Sequence, residues 1–118
     1  MPKVMVVDDS LFTRTHLAKL LSKYGYEIIV AEDGEEAVQT YRQTHPDVVL
    51  MDITMPRKDG LDALLEIRQF DPRARVIMLT ALAQELAATR AIHIGAKDFL
   101  VKPVPPSQLI TALQKVLG

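Results

Sequence analysis

The chain has 118 residues, the length of one domain, of which 48% are hydrophobic and 25% charged, with 14 basic against 15 acidic side chains and a net charge of −1. That near-neutral balance lacks the basic footprint needed to grip a phosphate backbone, so no direct nucleic-acid partner is expected. The absence of cysteine excludes disulfides, thiolate metal sites and thiol catalysis.

Met1 leads straight into Val4-Met5-Val6-Val7-Asp8, with neither the charged n-region nor the long apolar h-region of a secretory signal, and no run is long enough to span a bilayer. The expectation is a cytoplasmic protein without a membrane partner. Val4–Val7 is the first short apolar run. Leu17, Leu20, Leu21 and Tyr24 then recur at helical spacing up to Gly25, a candidate C-terminal stop. Ile28–Ala31 is the second apolar run. The turn Asp33-Gly34 opens a helix marked by Ala37, Val38 and Tyr41 that closes before Pro46. Val48–Met51 follows, then a helix marked by Leu61, Leu64, Leu65 and Arg68, ending at Asp71-Pro72. Val76–Leu79 precedes a helix marked by Leu86, Ala87, Arg90, Ala91 and Ile94, ending at Gly95. Phe99–Val101 is the last apolar run. Pro106 starts the final helix, with Leu109, Ile110, Leu113, Val116 and Leu117 on its inner face.

Continuous rather than alternating hydrophobicity in the five runs suits strands buried on both faces of a parallel sheet. Strand–helix alternation repeated five times predicts one doubly wound (βα)5 domain of the α/β class over residues 1–118. In such sheets ligands bind beyond the carboxyl ends of the strands. There the first run ends in Asp8-Asp9, the third in Asp52, the fourth in Thr80 and the fifth in Lys102-Pro103. Three clustered carboxylates raise one another's pKa, and a hard divalent cation resolves the conflict. Mg2+ takes oxygen ligands from one or two carboxylates and from phosphate. Asp52 then stays anionic as a nucleophile, Lys102 supplies positive charge to a phosphoryl group, and Thr80 donates to a phosphoryl oxygen. This inventory suits phosphoryl transfer, and the implied product is an aspartyl phosphate.

Each residue also has a plainer role. Asp8, Asp9 and Ser10 precede a helix and suit N-terminal capping. Asp52 suits a turn, Thr80 a strand end, Lys102 a solvated loop. Gly34 and Gly60 look like turn glycines with positive φ. Met5, Met51, Met55 and Met78 read as packing, the alanine-rich stretch Ala81–Ala91 as helix by propensity, and His16, His45 and His93 as scattered, without a metal cluster.

In combination, Val6-Val7-Asp8-Asp9-Ser10, Asp52-Ile53-Thr54-Met55-Pro56 with Asp59-Gly60, Thr80-Ala81 and Phe99-Leu100-Val101-Lys102-Pro103 make the whole chain resemble a response regulator receiver domain of the CheY-like type. The resemblance implies the flavodoxin-like strand order 2-1-3-4-5. It matches Asp52 to the acceptor of a phosphoryl group from a sensor histidine kinase or phosphotransfer protein. It matches Asp9, Asp52 and the backbone carbonyl of Thr54 to direct Mg2+ ligands and Asp8 to one acting through water. Lys102 would bind the acceptor or its phosphoryl group. Thr80 is matched to the switch hydroxyl, Phe99 to the switch aromatic, small Ala81 to an open site, Thr54 and Leu82 to positions that tune phosphoryl lifetime, and Lys102-Pro103 to a cis peptide. Val104 stands where the family often has an aromatic.

A phosphoryl group brings about −1.5 to −2 charge. Movement of Thr80 toward it would let Phe99 fill the vacated space and bias a two-state equilibrium. Residues 86–94, 99–101 and the helix after Pro106 would then read out the state to a downstream protein, although Phe99 also suits a plain core aromatic. The product is a switch rather than a turnover enzyme. An aspartate-nucleophile phosphatase of the haloacid dehalogenase type would need a second acid two residues after its nucleophile, where Asp52 is followed by Ile53-Thr54. A flavodoxin-type flavin site would need a hydroxyl- and Gly-rich loop where Asp8-Asp9 stand. With the last helix ending at Leu117-Gly118, the expectation is a stand-alone, chemotaxis-type receiver, with a receiver module of a larger regulator as the alternative.

Overall fold

A computed structural model describes residues 1–81 and 84–118, with Glu85 described by its backbone alone. Strands and helices alternate along the chain: β1 (Lys3–Val7), α1 (Leu11–Ser22), β2 (Glu27–Ala31), α2 (Gly34–Thr44), β3 (Val48–Asp52), α3 (Gly60–Phe70), β4 (Val76–Thr80), α4 (Glu85–Ile94), β5 (Asp98–Val101) and α5 (Pro106–Leu117). All four strand pairings are parallel, in the order β2-β1-β3-β4-β5. The (βα)5 architecture and the implied strand order are both present.

The period of two along a strand sends alternate side chains into two separate cores. Met5, Val7, Val49, Met51, Val76 and Met78 face one side, under Ala37, Leu64, Ile67 and Ala91 of α2, α3 and α4. Val4, Val6, Val48, Leu50, Ile77 and Leu79 face the other, under Leu17, Leu21, Leu109 and Leu113 of α1 and α5. The central strands are therefore hydrophobic at successive positions because both faces are covered. The edges differ from that expectation. In β2 only Ala31 is buried and Val30 is exposed, and in β5 only Leu100 is buried, because each pairs on one side alone. The methionines Met5, Met51, Met55 and Met78 are all buried, as expected of packing residues.

The helices begin where capping chemistry permits. The Ser10 hydroxyl accepts from the Thr13 amide, Asp33 from Glu36 and Asp59 from Asp62, while Pro106 occupies the first turn of α5. Their inner faces correct three sequence expectations. Leu65 is exposed while Ala63, Leu64 and Ile67 are buried, and Leu86 is 84% exposed while Ala88 and Ala91 are buried. Tyr24 lies beyond α1 and is exposed. Size and hydrophobicity suggested Leu86, but α4 buries Ala88 and Ala91, with Ala87 and Ile94 packed beside them. The alanine-rich stretch is also not helical throughout: α4 begins at Glu85, and Ala81 lies outside it.

Gly34 and Gly60 are not positive-φ turn glycines; among the glycines, that backbone belongs to Gly25, Gly95 and Gly118. Each instead opens a helix pressed against another loop. A Cβ on Gly34 would collide with the Lys58 carbonyl, and one on Gly60 with the Asp52 carbonyl. The same approaches make hydrogen bonds, from the Gly34 amide to Lys58 O (3.0 Å) and from the Gly60 amide to Ile53 O (2.6 Å). Among the described residues, no helix is long and apolar enough to cross a membrane.

Candidate functional site

At the carboxyl edge β1, β3 and β5 each continue their ladder for one residue beyond the last paired position, and this places the polar side chains. The Asp8 amide donates to Ala31 O (3.1 Å), the Ile53 amide to Leu79 O (3.2 Å) and the Lys102 amide to Thr80 O (2.7 Å). Backbone pairing thus fixes the positions of Asp8, Asp52 and Lys102 independently of their side-chain contacts.

The side chains then converge. One carboxylate oxygen from each of Asp8, Asp9 and Asp52 lies within 4.8 Å of the other two. The Lys102 ammonium donates to Asp8 Oδ2 at 2.9 Å and stands 3.3 Å from Asp52 Oδ2. Asp8 is buried, and its second oxygen accepts from the Ser10 amide at 2.8 Å, so the same carboxylate shapes the entry to α1 and holds the lysine. Asp52 is partly buried and Asp9 is exposed.

Burial pushes the Asp52 carboxyl above its ordinary range; Lys102 pulls it down, the neighbouring Asp8 carboxylate pushes it up again, and the net direction is upward. For Lys102, burial pulls the ammonium down, but its contacts with Asp8 and Asp52 more than offset this and hold it above the usual lysine value. Lys102 is therefore a cation, shared between two anions. Three carboxylates against one ammonium leave two negative charges uncompensated, and Asp9 has no hydrogen-bond or ion-pair partner among the described residues. An all-oxygen donor set with that charge fits a hard divalent cation.

Thr80 is buried at the end of β4, beside the Asp52-bearing strand, and its hydroxyl donates to the Ala81 carbonyl at 3.0 Å. Thr54 is exposed, and its hydroxyl accepts from the Gln84 amide group. Phe99 pairs with Met78 across β4 and β5 and packs, partly buried, against the core under α2, α3 and α4. Leu82 lies outside the described residues. The Lys102-Pro103 peptide is cis, as the resemblance implied. His16, His45 and His93 are exposed, and none belongs to a metal-binding group among the described residues.

Three contributors are invisible to a reading of strand ends. Arg14, on the first turns of α1, donates to the Asp8 carbonyl at 2.7 Å. Gln84 bridges to Thr54 across the mouth of the site. Arg57 pairs with Asp33, which is 4% exposed, over the loop that follows Asp52. The one sequence signal was polarity: each is a polar side chain four to seven residues beyond a strand's carboxyl end.

Comparison with known proteins agrees with this geometry. The response regulator receiver domain family matches residues 4–114. The chemotaxis protein CheY of Thermotoga maritima is 46% identical over 115 residues, covering 97% of this chain and 96% of the relative. That of Bacillus subtilis is 44% identical over 117 residues, covering 98% of each. Among solved structures, a receiver domain protein from Clostridium thermocellum superposes with a TM-score of 0.95 at 30% identity, covering 99% of this chain and 94% of the other. A CheX–CheY–BeF3–Mg2+ complex from Borrelia burgdorferi superposes with a TM-score of 0.93 at 40% identity, covering 99% and 90%. The chain belongs to the response regulator receiver domain family.

Proposed function

We propose that this chain accepts a phosphoryl group on Asp52 from the phosphohistidine of a sensor histidine kinase or phosphotransfer protein, and that the resulting aspartyl phosphate switches a protein-binding face. The observation that carries the proposal is the convergence of Asp8, Asp9, Asp52 and Lys102 at one end of a parallel sheet. In the transfer, an Asp52 carboxylate oxygen bonds to phosphorus as the nitrogen–phosphorus bond of the donor breaks, and the departing imidazole takes up a proton. Lys102 keeps its charge beside the acceptor and so stabilises negative charge gathering on the phosphoryl oxygens. Thr80, one residue beyond the Asp52 register partner Leu79, would turn its hydroxyl from the Ala81 carbonyl to a phosphoryl oxygen.

Mg2+ fits the oxygen donors: Asp9, Asp52 and the Thr54 backbone carbonyl would hold it directly, and Asp8 would act through water. When bound it supplies positive charge that neutralises the transferring group. The Borrelia burgdorferi relative, solved with BeF3 and Mg2+, supports that choice of ion. The face for a downstream protein comprises α4, β5 and α5, where Leu86 and Ile92 are exposed and Phe99 links β5 to the core. The several CheY relatives support a chemotaxis-type pathway. The chain is a switch that cycles with its partners, not an enzyme that turns over a free substrate.

Incubation with acetyl phosphate and Mg2+ should add the mass of one phosphoryl group, and Asp52→Asn should abolish the addition. Full labelling of Asp52→Asn would show that the acceptor lies elsewhere. Capture of a downstream protein by the phosphorylated chain, lost when Leu86 and Ile92 are both replaced by Glu, would test the face.

A further inference from the structure

The segment of residues 53–59, which follows Asp52 directly and includes Thr54, crosses from β3 to α3 at the edge of the site. Arg57 within it has φ of 65°, a left-handed backbone that long side chains rarely adopt. The local turn is tight, the Lys58 amide donating to Pro56 O at 2.7 Å. An arginine gains nothing from this conformation by itself.

What holds it is the turn after β2. Arg57 Nε donates to Asp33 Oδ2 at 2.8 Å, and its Nη2 reaches the same oxygen. The other Asp33 oxygen caps α2 by accepting from the Glu36 amide at 2.8 Å, so a buried carboxylate is committed on both sides. Next to it the Gly34 amide donates to Lys58 O at 3.0 Å. Glu32 stands between two guanidinium groups, 3.9 Å from Arg57 and 3.8 Å from Arg14, and Arg14 donates to the Asp8 carbonyl. The β2–α2 turn contributes no carboxylate to the acidic cluster. It is nevertheless tied on one side to the backbone of Asp8 and on the other to the segment that follows Asp52.

We propose that Arg57 is a positioning residue for the cation site: its Asp33 clamp fixes the segment after Asp52 so that the oxygen donors are set before the ion arrives. This rests on the cation reading given under the proposed function. Outer partners that orient metal ligands are worth about 10–100-fold in metal affinity, and Arg57, acting through the backbone, belongs at the low end. Its side chain is 59% exposed, so replacing it opens no cavity.

The test is calorimetric titration of the full chain with MgCl2, alongside thermal unfolding in chelator. Arg57→Ala should weaken Mg2+ about 10-fold. Arg57→Gly should weaken it as much, although glycine accepts the backbone geometry, and Arg57→Lys should recover part of the loss. Asp33→Asn keeps a capping oxygen and should weaken Mg2+ like Arg57→Ala, with the double variant no weaker than either single one. An Arg57→Ala chain that binds Mg2+ within twofold of wild type, whatever its melting temperature, overturns the inference alone. Losses that multiply in the double variant also overturn it. A wild-type chain that takes up no Mg2+ overturns the proposed function, and this inference with it.

Discussion

Replacing Asp52 with asparagine removes a charge while keeping the shape of the side chain, so it isolates what that charge does to the free protein. At an effective dielectric of 20, the Lys102 ammonium 3.3 Å away attracts the Asp52 carboxylate by about 5 kcal/mol. The Asp8 carboxylate, with an oxygen within 4.8 Å, repels it by at least about 3.5 kcal/mol. Asp9 adds repulsion, screened by its exposure. Burial works against the ionised form throughout and is the largest influence on Asp52, whose carboxyl is held above its ordinary value. An acid with a folded pKa above its unfolded one costs stability at every pH above the unfolded value. At neutral pH and without metal, Asp52→Asn should therefore melt above wild type, each kcal/mol gained appearing as roughly 3–6 °C for a domain of this size. Millimolar Mg2+ should narrow or reverse the gap, because ligand binding to the native state raises wild type by mass action and the variant offers a neutral amide oxygen in place of an anionic one. Circular dichroism melts in chelator and in MgCl2 measure both. A variant that melts below wild type in chelator, or Mg2+ raising the two chains equally, would refute the charge accounting.

Three further outcomes follow from the packing. Gly60→Ala sets a methyl group against the Asp52 carbonyl and Ile53 Cα, and should cost roughly 2–3 kcal/mol by urea unfolding. Tyr41→Phe removes the 2.6 Å hydrogen bond to Asp71 and should cost about 1 kcal/mol near neutrality. The Tyr41 hydroxyl, ahead of other influences, holds the Asp71 carboxyl below its usual 3.8. That stabilisation is present above the unfolded value and is lost as pH falls through the lowered one, so the gap between the two chains should close as acid takes the pH below 3.8. Leu86→Ala, at an 84% exposed position, should change stability by no more than about 0.5 kcal/mol, whereas Leu64→Ala in the core should cost about 2–5 kcal/mol.

The fold was legible because hydrophobic runs and helical spacing are local signals, and five of each leave few parallel topologies. The strand order was not in the periodicity. It came from a resemblance, since nothing within Val4–Val7 or Val76–Leu79 says which neighbour each will pair with. Leu86 misled because helical spacing ranks residues by hydrophobicity, while α4 packs through Ala88 and Ala91, with Ala87 and Ile94 beside them. Gly34 and Gly60 misled for a related reason. A glycine permits either an unusual backbone or a close approach, and only the neighbour's carbonyl, far away in sequence, decides between them.

The acidic cluster was legible because strand ends are identifiable and the parallel sheet brings them to one edge. Its supporting contacts were not, because they depend on side-chain reach across three loops. Arg14, Arg57 and Gln84 act on Asp8, Asp33 and Thr54 from helix termini and turns. Their place relative to the strand ends is set by helix packing rather than by register. The two kinds of information differ in physical origin. Ladder hydrogen bonds carry Asp8, Asp52 and Lys102 to the edge whatever lies beyond it, so acidic strand ends can be recognised from the sequence. On the inference drawn for Arg57, long cationic side chains adjust the spacing of the carboxylates within that edge. Chains that share the same strand ends can therefore hold an ion with different affinities, and residues outside the motifs, such as Arg57, are where that difference would arise.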